Sequence, residues 1–316
     1  MVSVKKILND GVNLASKGVK AGLDAANNAK NEVVKKIDVN GNGEIDIEDV
    51  INIAIKIPGI QINREKFLRK EFEIHYEKVI VDNAINATPI SAGIPAEDID
   101  KIADEVIEYE RRCVSGIAAA LGMPGGIALV ATLPTDIAQY YGYLLRCAQK
   151  LMYLYGFPQI KFDEDGVQLD TSTMNELILC LGVMFGVANA SQFLKVAAKA
   201  LAEGVSKKLV NAALMKGAFY PLVKSIAKWF GKRMTKEVFA GFFKKAIPVV
   251  GGAIGGGLTY AMFKPCCVRL KNSLKDTKLS NPNHEETEEE KEIYNAVFTV
   301  KEEIENTENS QELELK

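Results

Sequence analysis

Three stretches of this chain, 113–135, 177–194 and 246–263, carry no charged side chain, and each is rich in Ala and Gly. Apolar runs of 23, 18 and 18 residues need cover, from either the interior of a fold or a bilayer. Elsewhere apolar residues recur near the helical period, Ala, Leu, Lys and Glu dominate, and alternation is weak and short. The sequence therefore predicts an all-α, multi-helix domain with Gly/Ala-rich buried helices, preceded by a small helical region. Glycines fall four apart at Gly122/Gly126, Gly182/Gly186, Gly251/Gly255 and Gly252/Gly256. Such a stripe lets a second helix approach closely, in a domain or in lipid. Pro124 and Pro248 interrupt two of the stretches and mean hydropathy is +0.00, which favours buried helices over constitutive spans.

Residues 1–37 read as an amphipathic helix, with Val4, Leu8, Val12, Val19 and Leu23 on one face and lysines mostly on others. A second helix is expected from Ile47 to Ile57, stopping at Pro58-Gly59. A third opens at Asn63 and runs to about Asn83. Residues 86–95 read as a linker, and Ala96–Arg112 as a charged amphipathic helix. Residues 159–171 contain Asp163-Glu-Asp-Gly166 and read as a polar loop or short hairpin. The division expected is 1–87, 88–275 and an acidic tail over 276–316, with 276–290 disordered and a short helix near Ile293–Ile304.

Between residues 38 and 49 the chain spaces oxygen side chains as a calcium loop does. Asp38, Asn40, Asn42, Asp46 and Asp49 fall at positions 1, 3, 5, 9 and 12, Gly43 at the sharp turn, and the Glu44 carbonyl at position 7. A hard dication takes six or seven oxygens, and a tight turn supplies them from one short segment. Asp49 in place of Glu shortens the last ligand, and the two asparagines leave three carboxylates, so weak binding is expected. The segment resembles an EF-hand loop, and its final Asp is similar to the calcium loops of dockerin modules. An Asn/Gly-rich turn that holds no metal remains the alternative.

Charge is unevenly spread. Residues 281–316 hold twelve Glu against three Lys, a net −9, leaving +7 on the other 280 residues. Between 191 and 246 twelve Lys or Arg face only Glu203 and Glu237, a net +10. A basic block beside an acidic tail points to an anionic partner, to self-masking, or to both. Lys224, Lys228 and Lys232 recur at helical spacing near Trp229, Phe230, Phe242 and Phe243, a pattern suited to an anionic membrane surface. No nucleic-acid motif accompanies the charge. Five cysteines, 113, 147, 180, 266 and 267, lack metal spacing and read as reduced thiols. With no secretory pattern at the N-terminus, the expected place is the cytoplasm, peripheral on the inner face of the membrane.

Leu121-Gly-Met-Pro-Gly-Gly, Leu133-Pro-Thr-Asp136 and Tyr155-Gly156 resemble the first half of the EcsC family pattern. Ala246-Ile-Pro248-Val-Val-Gly251-Gly-Ala-Ile-Gly255-Gly is similar to its second half. The resemblance spans about 88–275 and implies a helical domain acting at or near the membrane. It lends no catalytic residue.

Enzyme motifs are missing from the sequence. There is no Gly-x-Ser-x-Gly, phosphate loop or dinucleotide fingerprint, and no zinc spacing. His75 lies on a charged segment and His284 in the tail. Asp136, after Pro134-Thr135, reads as a helix N-terminal residue. The expectation is a non-enzymatic protein at the membrane, calcium-modulated if the loop is filled. A soluble interaction module and an enzyme of unassigned chemistry are the alternatives.

Overall fold

Asp46 begins the described chain by capping a helix. Its Oδ1 accepts hydrogen bonds from the amides of Glu48 and Asp49, and Asp49 Oδ2 accepts from the amide of Asp46. This reciprocal box starts α1 (Ile47–Ala54). The computed structural model describes residues 46–121, 129–161, 169, 171–206, 210, 219–233 and 256–299. Among the described residues nine further helices follow: α2 (Arg64–Phe72), α3 (Lys78–Asn86), α4 (Ala96–Leu121), α5 (Leu129–Leu154), α6 (Thr171–Met184), α7 (Ala190–Ala202), α8 (Phe219–Arg233), α9 (Gly256–Lys275) and α10 (Glu288–Tyr294). A π-helical turn, Asn295–Thr299, extends α10. No strand occurs among the described residues, and the fold is all-α.

The segment expected as one helix from 63 to 83 is two helices joined by a turn. Asn63 caps the first, accepting from the amide of Lys66 at 2.8 Å. The amides of His75 and Tyr76 both donate to Phe72 O, ending α2 and reversing the chain. Arg64 explains the reversal. Its guanidinium, 8% exposed, donates to the carbonyls of Ala84, Ile85, Ala87 and Phe157. The C-terminal carbonyls of α3 can reach the start of α2 only if the two helices run antiparallel.

The core is continuous from Ile47 to Phe298. Residues 86–95, expected as a linker between domains, are a surface turn within it, closed by reciprocal hydrogen bonds between Thr88 and Ser91. Helix α4 buries Ile99, Ile102, Ala103, Val106 and Ile107 at helical spacing and continues to Leu121, past the charged segment. Helix α9 packs on α4, α5, α6 and α7, and from Ser172 to Met184 every residue of α6 is buried. Asp136 lies inside α5, which begins at Leu129 rather than after Pro134.

The two glycines of the 182/186 stripe do different work. A Cβ on Gly182 would lie 2.7 Å from Ile226 Cδ1, so Gly182 lets α8 close on α6. Gly186, at φ +70°, ends α6: its amide donates to Val183 O, and that of Val187 to Gly182 O. The other glycine stripes, Pro124 and Pro248, and the 1–37 helix lie outside the described residues or have no described side chains. Most of 159–171 does too.

The chain from 276 to 299 is folded, not disordered. Thr277 and Ser280 hydroxyls donate to Leu274 O at 2.8 and 2.6 Å, closing the end of α9. Val297 and Phe298 enter the core, and α10 lies on α7. Apolar anchors at the end of an otherwise polar segment, and lysines beneath it, supply what its composition lacks.

Candidate functional site

Basic and acidic segments meet on α7. Lys195 and Lys199, one turn apart, point the same way. Lys195 Nζ sits 2.5 Å from Asp276 Oδ2 and 3.6 Å from Glu290 Oε1. Lys199 Nζ is 2.7 Å from Glu286 Oε2 and 4.0 Å from the centre of the Tyr294 ring. The Tyr294 hydroxyl donates to Glu203 at 2.6 Å. Three carboxylates of the 276–290 segment thus lie on two lysines of the basic block.

His284 locks this contact. Its Nδ1 lies 2.8 Å from Asp276 Oδ1 and its Nε2 2.9 Å from Glu290 Oε2, with the side chain 6% exposed. Each ring nitrogen thus lies within hydrogen-bond distance of a carboxylate oxygen. Glu290 Oε2 also accepts from the amide of Thr287, while Thr287 Oγ1 accepts from the amide of Glu290. That capping box starts α10 and fixes the carboxylate facing the histidine. Burial acts to raise the Asp276 carboxyl, but hydrogen bonds from Lys195 and His284 outweigh it and hold it below its ordinary 3.8.

On α8, Lys224 is exposed and lies 3.5 Å from Glu48 Oε1 of α1; Lys228 is exposed one turn on. The aromatics expected beside them face inward. Phe230 is buried against Phe185 and Tyr141, and Trp229 is half-buried on Phe185. Lys232 has no described side chain, and Phe242 and Phe243 lie outside the described residues.

Of the residues expected to form a calcium loop, Asp38, Asn40, Asn42 and Glu44 lie outside the described residues. Asp46 and Asp49 are brought together as the capping box of α1, with Asp49 fully buried. Among the described residues, no group of three or more His, Cys, Asp or Glu is placed to hold a metal. His75 is exposed at the α2–α3 turn.

The five cysteines form no disulfide. Cys147, Cys180, Cys266 and Cys267 are buried, and burial pushes the Cys266 thiol up to about 11. Thiols so placed are poor nucleophiles and poor acceptors for a lipid.

The sequence carried a signal for the site that composition obscured: Thr287-x-x-Glu290 ahead of Ile293 is a capping box. His284 carried no local signal, because its partners lie eight residues before it and six after. No helix among the described residues is long and apolar enough to cross a membrane. No family model, curated protein or solved structure matches this chain.

Proposed function

We propose that this chain docks peripherally on anionic phospholipid through lysine faces of α7 and α8, and that residues 276–294 mask the α7 part of that face. The observation that carries the reading is the seating of Asp276, Glu286 and Glu290 on Lys195 and Lys199. A lysine face that already holds three carboxylates has the chemistry to hold headgroup phosphates, and the internal carboxylates compete for it. Lys224 and Lys228 supply the exposed part of the face. The EcsC resemblance over 88–275 supports a role at the membrane and assigns no catalysis.

Calcium fits the same reading. Glu48 lies between Asp46 and Asp49, at the end of the proposed loop, and pairs with Lys224. An ion held by Asp38, Asn40, Asn42, the Glu44 carbonyl, Asp46 and Asp49 would fix α1 and its contact with α8.

A second reading is a soluble module that takes an acidic polypeptide, because the ligand seen on α7 is itself polypeptide. Co-flotation with vesicles containing phosphatidylserine, at low and high salt and with and without calcium, separates the two. Flotation abolished by salt is expected for peripheral docking. Flotation that survives high salt would mean insertion of apolar helices. No flotation in any condition would leave the soluble module.

A further inference from the structure

We infer that the cavity between the start of α7 and the second half of α9 is a binding site for a phosphomonoester. It holds about 400 Å³ and is lined by Ser191 and Lys195 of α7, by Arg269, Asn272 and Ser273 of α9, and by Gly186. Ser191 and Lys195 are four residues apart, and Arg269, Asn272 and Ser273 have i, i+3, i+4 spacing, so two facing helices each present a polar stripe. The two serine hydroxyls meet 2.5 Å apart, and Ser273 is 6% exposed. Among the described residues, no carboxylate lines the cavity.

Arg269 is the anchor. Its Nη1 donates to Met184 O at the end of α6, which fixes the guanidinium plane. No carboxylate among the described residues pairs with it. Its Nε runs past Gly186, where even an added Cβ would come to 4.0 Å. A guanidinium held by one corner presents its remaining donors as a fork that matches a phosphate edge. Lys195 adds a second cation, shared with Asp276 and, at 3.6 Å, with Glu290. The serine hydroxyls and the Asn272 amide add donors from other directions. A tetrahedral oxyanion takes such donors on several oxygens, whereas a planar carboxylate would satisfy the guanidinium and leave the serines to each other.

The source of the phosphomonoester is either a soluble metabolite or the headgroup of phosphatidic acid. The site shares Lys195 with the proposed docking face but is anchored on Arg269, which that face does not use: absence of flotation would remove that reading and leave this one standing.

The test is a calorimetric titration of the full chain with inorganic phosphate, with chloride balancing ionic strength. The expected result is saturable binding to one site, weakened at least about tenfold by Arg269→Gln and by Arg269→Lys, which keeps the charge and loses the fork. Ser273→Ala, which leaves the Arg269 contact with Met184 intact, should weaken it several-fold, and Lys228→Gln on α8 should leave it unchanged. Vesicles then distinguish the sources. If Arg269→Gln removes a preference for phosphatidic acid over phosphatidylglycerol, the headgroup is the ligand. If it removes phosphate binding and leaves vesicle binding unchanged, the ligand is soluble. Lack of saturable phosphate binding by the unaltered chain, or binding that folded Arg269→Gln and Ser273→Ala variants retain, would overturn the site.

Discussion

His284 Nε2 lies 2.9 Å from Glu290 Oε2, while its other ring nitrogen faces Asp276. Replacing His284 with Ala leaves Glu290, 3% exposed, without its histidine donor. The expected cost is about 1–3 kcal/mol to the docking of α10. It would be seen as faster amide exchange over 288–294 with exchange in α6 unchanged. Exchange in α10 as slow as in the unaltered chain would show that the histidine does not hold the segment.

The same contact should be acid-sensitive. Asp276 is held below 3.8, so its contribution is complete above that value and is lost as pH falls through the lower folded value. Exchange over 288–294 should therefore rise below about pH 4. Asp276→Asn should remove this step and raise exchange at neutral pH. A step that persists in the Asn variant would assign the acid sensitivity to other carboxylates.

Gly182 and Ile226 set how closely α6 and α8 approach. A Cβ at 182 would meet Cδ1, Cγ1 and Cγ2 of Ile226 at 2.7, 3.1 and 3.2 Å, and a β-branched side chain has little freedom to yield. Gly182→Ala should destabilise by about 1–3 kcal/mol in denaturant unfolding. Adding Ile226→Val, which removes Cδ1, should recover part of that loss. Simple additivity of the two would show that the loss at 182 does not come from contact with Ile226.

Glu110 on α4 is fully buried between two cations of α5. Lys150 Nζ is 2.6 Å from Oε1, and Arg146 Nε lies between the oxygens, 3.0 Å from Oε1 and 2.8 Å from Oε2. Glu110→Ala strands two cations at 11 and 15% exposure and should cost about 3–5 kcal/mol. A loss below about 1 kcal/mol would mean that solvent reaches the pair.

Calcium at 38–49 should raise the melting temperature of the full chain. At a hundredfold excess over Kd the stabilisation is about 2.7 kcal/mol. Asp38→Asn should remove the calcium effect without changing stability in chelator. Asp46→Ala should cost about 1 kcal/mol even in chelator, because it removes the cap of α1. No calcium-dependent shift would leave the loop as a capped turn.

The all-α class was legible because the charge-free stretches and the helical period agree. Local signals were legible too: the stop at Pro58-Gly59 and the Asn63 cap, whereas Gly186, read as part of a packing stripe, ends α6. The break at 73–77 was not, because its cause is Arg64, whose carbonyl partners lie at 84–87 and 157. The fold of 276–299 was obscured for a similar reason. A run of glutamates reads as solvated chain when its lysines lie some 80 to 90 residues away on α7. Aromatics beside the α8 lysines suggested a membrane face, but spacing alone did not show that Trp229 and Phe230 turn toward Phe185.

In the proposed function, the acidic segment covers a lysine face that anionic lipid can take. The direct measurement is partition of the full chain and of a Glu286→Gln/Glu290→Gln variant onto phosphatidylserine vesicles at low salt. The variant should partition about tenfold more strongly, the equivalent of freeing one to two lysines at about 1 kcal/mol each. Adding Lys195→Gln/Lys199→Gln should abolish the gain. Equal partition of the folded variant and the unaltered chain would contradict it.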